Sequence, residues 1–178
     1  MSYLESKKYE IIPTETYKII RNCSGCGSQN VYHNTGKMRV NANGKLIDVW
    51  LIYQCSKCKH TYNLPIYSRI NRDSLDKSEY EALQRSNQDI VNRYGFDRKI
   101  FQRNSVKIFN EPPYILKYMK NDSKENVIRF CNPYQIKIRH DKLIAECFQI
   151  SRSKAKMILE TGDLKVSKSS NTEVIFAY

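Results

Sequence analysis

Six cysteines carry the most evident chemistry in this chain, and four of them form two pairs, Cys23-Ser-Gly-Cys26 and Cys55-Ser-Lys-Cys58. A Cys-x-x-Cys turn presents two thiolates on one side of a tight bend, and Gly25 and Gly27 leave room for backbone amides to turn toward sulfur. Two such turns brought together make a tetrahedral four-sulfur site, with metal–sulfur bonds of about 2.3 Å when the metal is zinc. A thioredoxin-like redox pair would need a βαβ context that this stretch lacks. Covalent haem would need Cys-x-x-Cys-His, whereas Cys58 is followed by Lys59 and only then by His60. Thiolates alone leave an iron–sulfur cluster open. Four sulfurs close the coordination sphere, so the expectation is structural Zn2+ on Cys23, Cys26, Cys55 and Cys58. His33 and His60 are expected to stand outside the ligand set, and the single Cys131 and Cys147 to be buried and inert.

The element that must join the two turns is a β-hairpin. In "KMRVNANGKLIDVWLIYQC", Asn43-Gly44 separates two alternating runs, because both central residues of a tight hairpin turn can take positive φ. On the second arm Ile47, Val49, Leu51 and Tyr53 share one face, and Trp50 and Ile52 the other. "TYNLPI" supplies a third short strand, with Pro65 marking an edge or an end. Residues 1–22 read as a lead-in strand packed onto the β-rich stretch after it. The arrangement over residues 1–70 looks like a zinc ribbon.

Residues 71–133 change character. "DKSEYEALQRSNQDIVNRYG" has a Ser78…Glu81 capping box and helical spacing up to Gly95, and a short helix is expected from Asp97 to Arg103. "VKIF" and "NVIRF" read as strands separated by Pro112-Pro113 and an Asn-Asp-Ser turn. Residues 134–178 contain "HDKLIAECFQISRSKAKMILETG", two short amphipathic helices with almost no loop, and end in a strand, "TEVIFAY". The second helix begins with Ser151-Arg152-Ser153-Lys154-Ala155-Lys156. A helix N-terminus is electropositive, so that basic cluster costs stability unless an anion sits there. Ser151 is a natural N-cap. A phosphate could use free amides, Ser151 or Ser153, and the cations together. Lys137, Arg139 and Lys142 extend the same basic stretch. The fold class expected is α+β, with a β-rich N-terminal zinc ribbon, a helical middle and an αα/β C-terminal module.

"IRHDKLIAECFQISRSKAKMILETGDLKV" resembles the alpha-L RNA-binding motif of a small-subunit ribosomal protein, tyrosyl-tRNA synthetase tails and pseudouridine synthases. The matching positions are Arg139, Asp141, Lys142, Leu143, Ile144, Ser151, Arg152, Ser153, Ile158 and Gly162. The resemblance implies a structural Asp141, with Arg139, Lys142, Arg152 and Lys154 on RNA phosphates. The family's Val-x-Val-Asn-Gly hairpin is replaced here by "DLKVSKSSNTEVIFAY". The chain is also similar, over most of its length, to an uncharacterised bacterial family known only as domain of unknown function 1062.

Composition agrees with a polyanionic partner: 30 Lys+Arg against 18 Asp+Glu give a formal charge of +12. No signal-like core or membrane-length apolar run is present, so a cytoplasmic protein without membrane contact is expected. Catalysis is not expected: there is no phosphate-cradling glycine loop, three histidines are scattered, and the His-x-Glu of zinc deaminases is missing. The expected function is a zinc-containing RNA-binding accessory protein that grips structured RNA, with ribosomal RNA a candidate. The RNA-binding residues would be Lys137, Arg139, Lys142, Ser151, Arg152, Ser153, Lys154 and Lys156, with Trp50, Tyr53 and Tyr62 able to stack on unpaired bases. The alternative is a zinc-dependent protein-interaction or regulatory module.

Overall fold

A computed structural model describes residues 6–120, 126–170 and 172–177. The chain is mixed α+β and gathers into two units. One runs Thr16–Pro112, and the other combines the chain up to Glu15 with Pro113 onward. The first strand, β1 (Lys7–Pro13), belongs to the second of these.

In the Thr16–Pro112 unit, β2 (Ile19–Cys23), β3 (Ser28–Asn43), β4 (Leu46–Cys55), β5 (Thr61–Asn71) and β6 (Lys107–Ile108) form an antiparallel sheet in the order β5-β4-β3-β2-β6. Strand β4 alternates strictly: Ile47, Val49, Leu51, Tyr53 and Cys55 are buried while the residues between them are half-exposed. Three short helices come after the sheet's long strands: α1 (Lys77–Gln84), α2 (Gln88–Gly95) and α3 (Arg98–Arg103). They bury Leu83, Ile90, Val91, Tyr94, Ile100 and Phe101. Phe101 meets Tyr17 and Tyr53 edge to face at 5.9 and 6.4 Å. Each large side chain removed from water in this way contributes about 1.5–3 kcal/mol.

Local chemistry explains where the elements depart from expectation. The hairpin pairs Asn43 with Leu46, so its two loop residues are Gly44 and Lys45 rather than Asn43 and Gly44. Only Gly44 takes positive φ (60°), which makes this a turn with glycine first. The single helix expected between the Ser78 cap and Gly95 is two. Asp76, not Ser78, caps α1 by accepting the Ser78 amide at 2.8 Å, and Asn87 caps α2 by accepting that of Asp89 at 2.8 Å. Between them Ser86 has φ 51° and its hydroxyl accepts the Met38 amide at 2.8 Å, beside a register shift in β3. Gly95 is the last residue of α2 but takes no left-handed turn, and Phe96 is the C-cap; glycine is needed at 95 for space, since a Cβ there would lie 2.7 Å from Thr16 Cγ2. Strand β5 is longer than "TYNLPI", and its edge is blunted. Pro65 sits at a register shift, and Arg103 donates to the Ile66 carbonyl at 2.7 Å while Asn104 donates to that of Pro65 at 3.0 Å.

In the other unit β1 lies between β7 (Tyr114–Met119, antiparallel) and β8 (Val127–Cys131, parallel). After α4 (His140–Phe148) and α5 (Arg152–Thr161), the hairpin of β9 (Lys165–Ser169) and β10 (Glu173–Ala177) completes the order β7-β1-β8-β10-β9. The expected lead-in therefore divides: Pro13 closes β1, and Ile19 and Ile20 begin β2 in the other sheet. Strand β7 has no counterpart among the expected elements, "VKIF" shrinks to Lys107–Ile108, and the Asn-Asp-Ser turn lies outside the described residues. The division at residues 70 and 133 does not coincide with the two units. No helix among the described residues is long and apolar enough to cross a membrane.

Candidate functional site

The cysteine pairs sit at strand ends. Strand β2 ends in Cys23 and β4 in Cys55, and in each case the chain turns at once. The Cys23 carbonyl accepts the amides of Cys26 and Gly27 at 3.2 and 2.9 Å; the Cys55 carbonyl accepts that of Lys59 at 3.1 Å. Gly27 and Lys59 occupy equivalent positions after the second cysteine and share a left-handed backbone, φ 67° and 66°. Cys55 N–H donates to the His60 carbonyl at 2.8 Å and Ser56 N–H to that of Val31 at 3.0 Å, which ties the second turn to both flanking strands.

These turns place the four sulfurs within 4.8 Å of one another. Cys23 Sγ lies 3.4 Å from Cys58 Sγ, and Cys26 Sγ 3.9 Å from Cys55 Sγ. A zinc–thiolate tetrahedron has edges of about 3.8 Å, so the spread brackets what one ion needs. The four cysteines could hold a metal ion. Gly25 has its own steric role here: a Cβ would lie 3.0 Å from Cys58 Sγ.

The thiols are electrostatically unequal. A hydrogen bond with Tyr32 is the largest of the influences that bring Cys23 down to about 6. Cys26 is pushed up to about 12, first by its contact with Cys58 and then by burial. One thiolate thus forms readily, whereas Cys26 holds its proton until a cation replaces it. Tyr32, buried on β3, supplies this bond from outside the ligand set and was not singled out by sequence. Its register opposite Cys55 is the signal that could have found it. His60 Nε2 lies 3.0 Å from Ser24 Oγ, across the two turns.

The basic C-terminal residues are only partly brought together. Asp141, at the start of α4 and 8% exposed, accepts Arg139 Nε and Nη2 at 2.9 and 3.2 Å, and Arg152 Nε and Nη2 at 3.1 and 2.9 Å. Burial pushes this carboxyl up, but the bonds from Arg152 and Arg139 prevail and hold it below its ordinary value. Asp141 is thus an internal anion beside the start of α5. Ser151 caps that helix, accepting the Lys154 amide at 3.2 Å. Lys142 Nζ lies 3.8 Å from Glu146 and 4.6 Å from the Tyr114 ring centre; Lys156 Nζ lies 3.4 Å from Glu160. Lys137, Ser153 and Lys154 are exposed.

Residues 40–170 match the sequence family described as "Protein of unknown function (DUF1062)". The chain belongs to that family. The matched span of this DUF1062 member includes Cys55, Cys58 and the α4–α5 pair, but begins beyond Cys23 and Cys26. No curated protein and no solved structure matches it.

Of the three aromatics expected to stack on bases, Tyr53 is fully buried and donates to the Tyr17 carbonyl at 3.1 Å. Tyr62 is covered by Arg21, whose guanidinium carbon lies 3.5 Å from the ring centre. Trp50 remains half-exposed on the outer face of β4. Cys131 and Cys147 are half-buried, and burial raises the Cys147 thiol above its ordinary value.

Proposed function

We propose that this DUF1062 member is a zinc-holding RNA-binding protein, in which a zinc ribbon stabilises the Thr16–Pro112 unit and an alpha-L-like module of α4, α5, β9 and β10 grips structured RNA. Four thiolates at tetrahedral spacing favour zinc over oxygen-seeking cations. The observation that carries the RNA reading is the double clamp on Asp141. It fixes Arg139 and Arg152, whose side chains remain 71% and 54% exposed, at the starts of the two helices. Arginine forks held in advance bind phosphate with less loss of freedom than loose lysines do. The arrangement is supported further by the β9–β10 hairpin, which forms without the family's Asn-Gly turn. Ser170 instead closes it, its amide donating to the Glu173 carbonyl at 2.8 Å.

The test is binding of the metal-loaded chain to structured ribosomal RNA fragments and to matched duplex DNA across a salt series, with metal content measured by mass spectrometry. Lys154→Glu/Lys156→Glu is the informative variant, because neither residue touches Asp141. RNA preference that this variant loses, with the salt slope reduced by nearly one for each phosphate contact removed, supports the reading. Equal, weak binding to both acids and indifference to the variant would refute it and direct attention to a protein partner.

A further inference from the structure

The Thr16–Pro112 unit distributes its charge unlike the C-terminal helices. Between Thr16 and Asn71 the chain has eight Lys and Arg but one acid, Asp48, and that carboxylate accepts the Arg69 amide at 2.9 Å. On the C-terminal helices most cations have a carboxylate beside them: Arg139 and Arg152 share Asp141, Lys142 has Glu146, and Lys156 has Glu160. Among the described residues, no ion pair forms at Arg21, Lys37, Arg39, Lys45, Lys57 or Lys59. A four-thiolate zinc centre would add a charge of about −2 and leave the sheet strongly positive.

One face of that sheet is suited to an anion that also carries flat rings. The buried row of β4 points to the helices, so Trp50 and Ile52 point the other way and are half-exposed. Register places exposed Arg39 opposite Trp50 on β3, with its guanidinium carbon 6.0 Å from the indole, and Pro65 opposite Trp50 on β5. Asn63 lies opposite Ile52. Strand neighbours of this kind give a flat platform with one aromatic ring and a cation beside it; the one acid on the same face, Asp48, two residues before Trp50, already accepts the Arg69 amide. A duplex hides its bases from such a platform, whereas an unpaired strand offers a phosphate to arginine and a base face to indole.

We infer that the outer face of β3, β4 and β5 is a second RNA surface that takes an unpaired segment, with Arg39 on its phosphates and Trp50 stacked on a base. This rests on the RNA-binding reading above and assigns the single-stranded part of the ligand to a different unit from the one that grips its folded part. An acidic polypeptide would satisfy the charge and leave the indole unused.

Trp50 is the only tryptophan in the chain, so its emission reports this face directly. The metal-loaded full chain is titrated with a short oligouridylate and, separately, with an RNA hairpin lacking single-stranded tails. Oligouridylate should quench Trp50 emission in a salt-dependent way, and Lys154→Glu/Lys156→Glu should leave that quenching in place. With a labelled oligouridylate, Trp50→Ala should weaken binding about five- to hundredfold, and Arg39→Gln should lower the salt slope by roughly 0.7. The parent protein's own emission decides the matter even if a variant folds poorly. Binding of oligouridylate with unchanged Trp50 emission overturns the inference. So does binding of the hairpin alone, which leaves the RNA reading standing; binding of neither overturns both.

Discussion

Lys59→Gly turns the resemblance between the two cysteine turns into a measurement. Gly27 and Lys59 come directly after the second cysteine of their pairs with nearly the same left-handed φ, 67° and 66°. An L-residue held there is strained by roughly 1–2 kcal/mol relative to glycine. Glycine gives back about 0.5–1 kcal/mol through the entropy it loses on folding. The net expectation is a gain of about 0.5–1 kcal/mol for Lys59→Gly. In a unit of this size that corresponds to a rise of roughly 2–6 °C in the melting midpoint. Gly27→Ala should lose a similar amount from strain alone, since nothing lies within 4 Å of a Cβ placed there. Gly25→Ala should behave differently, because its Cβ would press on Cys58 Sγ at 3.0 Å, and the loss should appear as weaker metal binding. The assays are thermal melts of the metal-loaded chain and competition for zinc against a chelator of known affinity. If Lys59→Gly destabilises, or if Gly25→Ala and Gly27→Ala cannot be told apart in the competition, the account of these turns is wrong.

Tyr32→Phe should raise the Cys23 thiol from about 6 toward an ordinary cysteine value and weaken metal binding about 10- to 100-fold. The loss should be larger at pH 6 than at pH 8, where protons compete less; chelator competition at the two pH values measures it. Gly95→Ala should cost about 1–3 kcal/mol by overpacking against Thr16, and Thr16→Ser should restore part of it by removing Cγ2, as a urea-melt double-mutant cycle would show. Asp141 titrates below its ordinary value, so its contribution is fully present above about pH 4 and is lost as pH falls through its folded value. Hydrogen exchange of β8 and β10 should therefore show Asp141→Asn less protected at neutral pH, with the difference closing toward pH 3. Glu173, held low by Arg129 and Lys168, leaves a residual acid dependence in both proteins.

What could be read from sequence was what lies close along it. The cysteine turns, the alternation of β4 and the Ser151 cap are each written within a few residues, and the structure brings the four sulfurs together. The Ser78…Glu81 pattern misled because Asp76, two residues earlier, caps as well, and because Asn87 offers a second start that Ser86 makes geometrically possible. The placement of β1 had no local signal: its partners Ile115 and Phe130 lie about a hundred residues further on. The basic cluster opening α5 raised the right physical question, but its internal answer, Asp141, lies on the preceding helix and is joined to Arg152 only through the fold.

The insertion of one unit into another has a consequence for the order in which the protein can be made. Strand β1 leaves the ribosome before the inserted residues and has no partners until β7 and β8 emerge. The intervening residues can meanwhile fold, with the cysteine turns clasped, and their folding draws the two crossing points together. Phe109 N–H donates to the Lys18 carbonyl at 2.9 Å, and just outside that pair Thr14 N–H donates to the Pro113 carbonyl at 2.9 Å. Closing a flexible loop of about a hundred residues, rather than one of about four, would cost roughly 3 kcal/mol more. By folding first, the inserted unit removes most of that cost, so a metal held by the four cysteines early in synthesis would hasten the pairing of strands that it never touches.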